Sequence, residues 1–185
     1  MNGELKSMDD RHRKLLRHKL SSICGWLELG NSTAAREEAA GLSPEELRQS
    51  DTIEMLYELS RHEKDWSGCL YFGKALSEVA PDDAGSWVRY CNALFWCEEV
   101  ERARDLAIEK ISEFPKVWDL VYNLACYLTR LHHFDRALQA LRKAAQLSND
   151  LNYFQHQAQM DPDLEPLWRH LGKKAEDFFA SGDIS

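Results

Sequence analysis

Two glutamates have the clearest spacing for chemistry in this sequence. Glu54 and Glu58 lie four residues apart, which would place both carboxylates on one face of a helix. Paired carboxylates can perform acid–base catalysis or bind a cation. The surrounding stretch supplies neither a nucleophile nor a third ligand, so we interpret the pair as part of a solvated acidic face.

Candidates for nucleophilic or metal chemistry fail on spacing. Cys126 and His133 are seven residues apart, or roughly 10 Å along a helix axis, and a break in the helical pattern separates them. His132 and His133 have no carboxylate or cysteine at a metal-ligand spacing, which favours an exposed polar turn. The chain also lacks a glycine-rich phosphate loop and the G-x-S-x-G and H-E-x-x-H motifs. We therefore predict a protein that is not an enzyme and holds no metal or cofactor.

Composition and charge narrow the class of partner. The chain has 185 residues, 44% of them hydrophobic. No apolar run approaches the length of about 18 residues that a membrane-spanning helix needs, so we expect a soluble protein. Its start shows no secretory signal, which predicts a cytoplasmic location. With 31 acidic and 23 basic residues the net charge is -8, which argues against nucleic acid or an anionic membrane as the partner.

One basic cluster runs against this charge balance. Between the apolar positions of the first helical stretch lie Arg11, Arg13, Lys14, Arg17 and Lys19. Because the chain as a whole is acidic, we interpret the cluster as the solvated outer face of the first helix.

The cysteines point to packing. There are five, an odd number, without a C-x-x-C pair, and all fall within helical patterns. We interpret each as a buried, reduced core residue: Cys24, Cys69, Cys91, Cys97 and Cys126.

Apolar periodicity predicts a helix hairpin near the centre of the second half. One apolar set includes Val121, Ala125 and Leu128, a second includes Ala137 and Leu141, and a polar break over 130–133 separates them. Spacings of three and four residues place each set on one helical face, so the two helices can bury those faces against each other. The exposed remainder needs a further neighbour, which repetition of the hairpin would provide.

The chain repeats with a fixed period. Small residues stand at Ala35, Cys69, Ala103 and Ala137, each 34 positions after the last, and two prolines that follow second helices, 81 and 115, keep the same interval. A period of 34 built from paired helices is typical of one repeat family.

The sequence resembles the tetratricopeptide repeat family, whose pattern is Trp-x2-Leu-Gly-x2-Tyr, then Ala-x3-Phe, then Pro. The unit 84–117 matches at Trp87, Tyr90, Cys91, Leu94, Ala103, Ala107 and Pro115. The unit 118–151 matches at Val121, Leu124, Ala125, Leu128, Ala137, Leu141 and Asn149. The family's turn glycine appears only as Gly30, and Lys64, Glu98 and His132 replace it in the later units.

The resemblance implies an all-α fold, a right-handed α-solenoid of about four helix hairpins closed by a C-terminal capping helix. We expect a flexible N-terminus 1–8, a single repeat domain 9–180 and a tail 181–185. The repeats would span 16–49, 50–83, 84–117 and 118–151, and the cap 152–180. Ser86 is the expected N-cap of the first helix of repeat three, and Asp163 that of the final helix.

The resemblance also implies a binding surface. In the family, exposed positions of each unit's first helix line a concave groove that contacts a peptide. The residues at those positions that we expect to contact a partner are Glu54, Glu58, Arg89, Asn92, Trp96, Tyr122, Asn123 and Arg130. Trp96 and Tyr122 would be exposed aromatic contacts, although Phe95 and Trp96 can also be interpreted as buried in the next repeat.

The resemblance thus favours a non-enzymatic scaffold or adaptor that binds another protein or a peptide. A helical hydrolase or metal enzyme that uses Glu54 and Glu58 is one alternative. Two further alternatives stay open. One is a homo-oligomeric structural module, for instance a homodimer. The other is a secretion-type chaperone, because chaperones of that kind are chains of three to four repeats and similar size.

Overall fold

The structure is a computed structural model and describes residues 10–172. The expected loose N-terminus 1–8, the part of the cap beyond residue 172 and the tail 181–185 lie outside the described residues. Within them the secondary structure is helical, without a β-strand. The α-helices are α1 Asp10–Glu28, α2 Ser32–Ala39, α3 Ser50–His62, α4 Trp66–Val79, α5 Ala84–Trp96, α6 Val100–Glu113, α7 Trp118–Arg130, α8 Phe134–Leu147, α9 Leu151–Met160 and α10 Glu165–Leu171. Two 3₁₀ helices cover Glu46–Arg48 and Pro162–Leu164.

The all-α class is as predicted, and the first eight helices form four consecutive hairpins. In each hairpin the two helices pack on each other, α1 on α2, α3 on α4, α5 on α6 and α7 on α8. Two compact units, Met1–Val79 and Ala80–Ser185, contain two hairpins each, and we call them unit 1 and unit 2.

Among the helices between residues 10 and 172, none has both the length and the apolar character needed to cross a bilayer.

The four hairpins turn through the same backbone conformation. Gly30, Lys64, Glu98 and His132 follow one another at intervals of 34 positions and have φ values of 70°, 57°, 61° and 58°. In each turn the next residue donates its N–H to the carbonyl five residues earlier, as Asn31 does to Trp26 at 2.8 Å. This is the Schellman arrangement, which favours glycine because a Cβ is strained at positive φ. Lys64, Glu98 and His132 therefore keep the shape of the turn that the family's glycine forms, but each adds local backbone strain.

The small residues that recur with the same interval have equivalent surroundings. Ala35, Cys69, Ala103 and Ala137 are all 0% exposed. The N–H of each donates to the carbonyl four residues earlier, across the start of the second helix, at 2.9 to 3.1 Å. A side chain no larger than these allows the two helices of a hairpin to approach closely, so the period reflects a packing requirement.

Unit 1 has a core supplied mainly by α1. Leu16, Leu20, Ile23 and Leu27 recur at helical spacing and are buried. They pack with residues of α2, α3 and the connecting segment, namely Ala35, Leu42 and Leu59. The apolar stripe of α1 is therefore the face that α2 and α3 cover.

A part-buried ion pair joins the segment between α2 and α3 to α1. Glu46 is 2% exposed, and its carboxylate accepts from Lys19 Nζ at 2.9 and 3.0 Å and from the Ser43 N–H at 2.7 Å. Burial raises the pKa of Glu46, but the hydrogen bonds from Ser43 and Lys19 outweigh it, so the net direction is downward. The expectation that the whole basic cluster is solvated is therefore wrong for Lys19, because this side chain neutralises a buried carboxylate.

The core of unit 2 is formed around α7. Leu120, Val121, Ala125 and Leu128 of α7 are buried, and α7 packs on both α6 and α8. The facing residues of α8 are small or apolar: Ala137, Leu141, Ala144 and Ala145. Helix α7 is thus the central element of this unit.

The chain after α8 closes the last hairpin. Phe154 of α9 is 0% exposed, with its ring 5.8 Å from that of Trp118. The 3₁₀ helix Pro162–Leu164 lies against α7, and α10 contacts both α7 and α8. Trp168 of α10 donates its indole N–H to the Ala158 carbonyl at 3.2 Å, which ties α10 to α9. This closing segment, residues 151–171, covers apolar surface that a fifth hairpin would otherwise bury.

The two predicted helix caps are wrong in the same way. Asp83, not Ser86, caps α5, and it accepts from the Gly85 N–H at 3.2 Å. Asp161 likewise accepts from the N–H of Asp163, the residue expected as the cap, at 2.9 Å. In both places the capping carboxylate belongs to a residue two or three positions before the predicted cap. The helical structure therefore begins earlier in the sequence than predicted.

Candidate peptide-binding surface

The surface that could contact a peptide in unit 2 is built from the adjacent helices α5 and α7. Arg89 and Asn123 occupy equivalent positions one repeat apart, as do Trp96 and Arg130. Asn92 lies one turn after Arg89 on the same face of α5. We call these five residues the α5–α7 face. All five are at least partly exposed, and Arg130 is the most open of them.

Asn92 is held in a fixed orientation. Its Oδ1 accepts a hydrogen bond from the Tyr127 hydroxyl at 2.7 Å, and Tyr127 itself is 1% exposed. Since the carbonyl side of the carboxamide is occupied, the side chain presents its NH₂ group as a donor. Within residues 10–172 no other hydrogen bond engages this carboxamide. A donor fixed in this way suits a carbonyl or carboxylate oxygen of a bound chain.

Arg130 marks the end of α7 on this face. Its Nη2 atom contacts both carboxylate oxygens of Glu98 at 2.8 and 3.0 Å. Glu98 is the residue at positive φ in the turn of the preceding hairpin. Because both side chains are more than half exposed, water screens the pair and it contributes little to stability. Its effect is to hold the guanidinium above the α5–α6 turn.

Tyr122 does not belong to an open groove, and the expectation that it is an exposed contact is wrong. It is 4% exposed, and its hydroxyl donates to Asp161 Oδ2 at 2.7 Å. The ring of Phe154 approaches its ring edge-on, with 5.6 Å between the centroids. The closing segment therefore covers this part of α7. Burial, followed by the nearby Cys126 and Asp161, raises the pKa of the Tyr122 hydroxyl far above its ordinary value.

Cys126 is shielded by the same segment. It is 4% exposed, and its thiol lies 3.6 Å from Asp161 Oδ2. Burial, with Asp161 and Asp163 close by, raises the pKa of this thiol well above the ordinary value for cysteine. His133 is exposed in the turn that follows α7. The geometry therefore agrees with the sequence argument against a Cys126–His133 nucleophile.

The two aromatic residues with open interpretations have different surroundings. Phe95 is 8% exposed and packs on Tyr127, with ring centroids 5.0 Å apart. It is a core residue of unit 2. Trp96 is half-buried at the last position of α5. Of these two neighbouring residues, Phe95 therefore belongs to the core and Trp96 to the surface.

In unit 1, Glu54 and Glu58 are both half-buried on α3. Glu58 accepts from Arg61 Nε at 2.8 Å, an ion pair within the helix. Among residues 10–172, no group of three or more histidine, cysteine or acidic side chains could hold a metal ion. These contacts are typical of a structural acidic face and do not indicate catalysis.

The cysteines are free thiols, as expected, but they are not equally buried. Cys69, Cys91 and Cys126 are buried, whereas Cys24 and Cys97 are half-buried. Burial raises the pKa of Cys91 to about 12. The prediction of full burial is therefore wrong for Cys24 on α1 and for Cys97, the residue that follows α5.

Comparison with solved structures gives the fold class an independent test. The chain is similar to MamA, residues 41 to the end, from Desulfovibrio magneticus RS-1, with a TM-score of 0.65 and 15% identity over 96% of this chain and 99% of that one. The fold is of the tetratricopeptide type. A double mutant of MamA from RS-1 matches with a TM-score of 0.65 and 16% identity over 97% and 100% of the two chains. MamA from AMB-1 matches with a TM-score of 0.59 and 12% identity over 93% and 91%.

At these identities the likeness concerns the tetratricopeptide-type fold alone. No protein-family model and no curated protein sequence matches the chain. The role of the α5–α7 face therefore has to be argued from its own residues.

The sequence did not single out Asp161 as part of the site. Its carboxylate receives the Tyr122 hydroxyl and contacts the Cys126 thiol, both on the first helix of the last hairpin. It lies beyond the repeats, where the period assigns no position. The run Asp161, Pro162, Asp163 is typical of a helix start and gives no indication of a contact with α7.

Proposed function

We propose that this chain is a non-enzymatic adaptor of the tetratricopeptide repeat family and that its α5–α7 face binds an extended segment of a partner protein. The observation that carries the proposal is the fixed donor of Asn92 beside α7. A scaffold needs rigid donors at defined positions, and here a buried tyrosine orients the carboxamide.

The donors on this face define the class of segment. Asn92, Asn123 and Arg130 can all donate to oxygen, and all three occupy regular first-helix contact positions. The segment should therefore present backbone carbonyls and at least one carboxylate. Trp96 offers apolar contact area next to these donors.

The covered part of α7 supports the same chemistry. Where α7 is occupied, at Tyr122 and Cys126, its neighbour is a carboxylate of the chain itself, Asp161. This contact supports a carboxylate as a functional group that the first helices can accept. A partner segment would place equivalent groups further along, against α5 and the open end of α7.

Affinity capture with matched variants tests the proposal. The double variant Asn92→Asp/Asn123→Asp replaces both amide NH₂ donors with acceptor oxygens. Residue 92 still offers an oxygen to the Tyr127 hydroxyl, so that hydrogen bond can remain. The control Gln139→Glu/Gln159→Glu makes the same chemical change at exposed positions of α8 and α9. Wild type, variant and control would each be used to capture partners from the native lysate, with quantification by mass spectrometry.

We expect the control to recover the partners of the wild type and the α5–α7 variant to lose at least one of them by roughly tenfold or more, because two ordinary hydrogen bonds together contribute about 1–3 kcal/mol. Equal recovery of every partner by all three proteins would refute the assignment of this face.

A further inference from the structure

An apolar groove in unit 1 is separate from the α5–α7 face. Its volume is about 450 Å³, within the range of about 300–1,000 Å³ typical of binding pockets. The lining residues come from the first 3₁₀ helix, α3 and α4: Leu47, Arg48, Ile53, Leu56, Tyr71, Phe72, Ala75 and Val79. We call it the α3–α4 groove. Tyr71 is 70% exposed and Val79 50%, so large apolar side chains face water.

The groove lies where the first hairpin is short. Helix α2 has 8 residues, whereas the second helices of the other hairpins, α4, α6 and α8, have 14 each. The missing six residues correspond to roughly 9 Å of helix. In their place the chain forms the 3₁₀ helix Glu46–Arg48, which contributes only Leu47 and Arg48 to one wall. Beside this segment helix α4 exposes apolar side chains, among them Tyr71 and Val79.

The repeat provides an internal comparison for this flank. One period after Tyr71, Phe72, Ala75 and Val79, helix α6 has Asp105, Leu106, Glu109 and Glu113. The corresponding depression in unit 2 has a volume of about 260 Å³ and includes Arg102, Asp105 and Glu109 in its lining. Charged residues are therefore compatible with these hairpin positions. The apolar side chains of α4 are not required by the fold, which points to a role in binding.

The positive charge of Arg48 at the groove favours an occupant with an acidic group. Arg48 is the one ionisable side chain besides the Tyr71 phenol in the lining, and no carboxylate within residues 10–172 lies at ion-pairing distance from it. An occupant that brings a carboxylate to Arg48 would gain an ion pair at the edge of an apolar surface. The remaining lining residues call for aliphatic or aromatic side chains.

We propose that the α3–α4 groove docks a short amphipathic helix of a partner protein, with large apolar residues three and four positions apart and an acidic residue that pairs with Arg48. The helix would lie against α4 in place of the six residues that α2 lacks. Helices bound in grooves commonly use this spacing of anchors. The proposal concerns a second contact of the adaptor and does not depend on what the α5–α7 face binds.

A displayed library of random peptides of about 12 residues, or roughly three helical turns, is the probe. It would be selected on the wild-type chain with counterselection on Tyr71→Asp/Ala75→Glu, which copies the charges found at Asp105 and Glu109. The copied pattern should preserve folding, and circular dichroism checks this. Lys143→Glu is the matched control, since residue 143 lies two periods after residue 75 on α8.

We expect enriched peptides to carry apolar residues at helical spacing and at least one Asp or Glu. A synthetic copy of the strongest should bind wild type and Lys143→Glu alike in fluorescence anisotropy, and Tyr71→Asp/Ala75→Glu at least roughly tenfold more weakly. Arg48→Glu should also weaken binding, most strongly at low salt.

Three results would overturn the proposal. The first is a selection without enrichment over the counterselected variant, or equal binding by all variants. The second is binding that appears only after deletion of residues 1–9, since the chain's own N-terminal segment would then be the occupant. The third is a concentration-dependent mass in light scattering that Tyr71→Asp/Ala75→Glu abolishes, since a second copy of the chain would then fill the groove.

Discussion

The Tyr122 hydroxyl donates to Asp161 Oδ2 at 2.7 Å, which joins α7 to a residue 39 positions later. The contact is part-buried, and the same carboxylate group also accepts from the Asp163 N–H. One side chain therefore both starts the second 3₁₀ helix and fixes the closing segment on α7. The open part of the binding surface depends on where this segment lies.

A double-mutant cycle measures the contact. Tyr122→Phe removes the donor and Asp161→Ala removes the acceptor of the pair, and we expect each to lower the free energy of unfolding by about 1–2 kcal/mol. The double variant should lose about 1 kcal/mol less than the sum of the single losses, because the bond can be removed only once. Urea denaturation gives these values. Losses that simply add would show that the two groups do not interact in solution.

The strained turns predict a stabilising substitution. Lys64 has a φ of 57°, where a side chain costs about 1–2 kcal/mol, while glycine loses about 0.5–1 kcal/mol through its freedom in the unfolded chain. Lys64→Gly should therefore raise the free energy of unfolding by about 0.5–1 kcal/mol. Lys143→Gly, an exposed lysine inside α8, is the control and should lower it by a similar amount. If Lys64→Gly were destabilising too, residue 64 would not have the left-handed conformation.

The turns between paired helices are features that the sequence predicts well. The repeat interval locates Gly30, Lys64, Glu98 and His132, and each has the predicted place between two helices. The period also predicts the buried small residues such as Ala103, because close approach of two helices excludes larger side chains. Regular packing therefore leaves a clear periodic signal in the sequence.

The site is predicted less well, because its surroundings are not periodic. Tyr122 occupies a position that is exposed in the repeat pattern, but the closing segment covers it through Phe154 and Asp161. Likewise, Leu47 and Arg48 line the α3–α4 groove from the irregular segment that follows the short α2, where the regular repeat has no counterpart. Exposure at such positions depends on residues far away in the sequence.

The buried carboxylate of Glu46 predicts a loss of stability in acid. Its pKa is lower in the folded chain than in the unfolded one, so its contribution is complete above the ordinary pKa of glutamate and disappears as the pH falls through the folded value. Glu46→Gln should flatten the dependence of unfolding free energy on pH in this acidic range. At neutral pH the variant should lose about 1.5–3 kcal/mol, because Lys19 and the Ser43 N–H lose a charged partner.

Glu45→Gln, the exposed neighbour, is the control and should behave as the wild type does. Thermal unfolding followed between neutral and acidic pH distinguishes the two variants. An acid transition that is identical in Glu46→Gln and wild type would mean that Lys19 and Ser43 do not stabilise the ionised carboxylate.

Thiol reactivity should follow burial. Cys24 and Cys97 are half-buried, so we expect them to react first with iodoacetamide in the native protein. Cys91, whose pKa is raised to about 12, and the fully shielded Cys126 should react only on unfolding. Mass spectrometry of alkylated peptides over time gives the order. Early modification of Cys126 would indicate that the closing segment leaves α7 in solution.

The proposed partner contact lies on the face formed by α5 and the open end of α7. Site-specific photo-crosslinking from benzoylphenylalanine tests it most directly, with the probe at Trp96 on that face and at Gln139 on the exposed side of α8 as the control. The assignment of this face predicts that illumination in the native lysate joins a partner protein to the chain labelled at residue 96 and not to the chain labelled at 139. Crosslinks of equal yield from both positions, or from residue 139 alone, would contradict it.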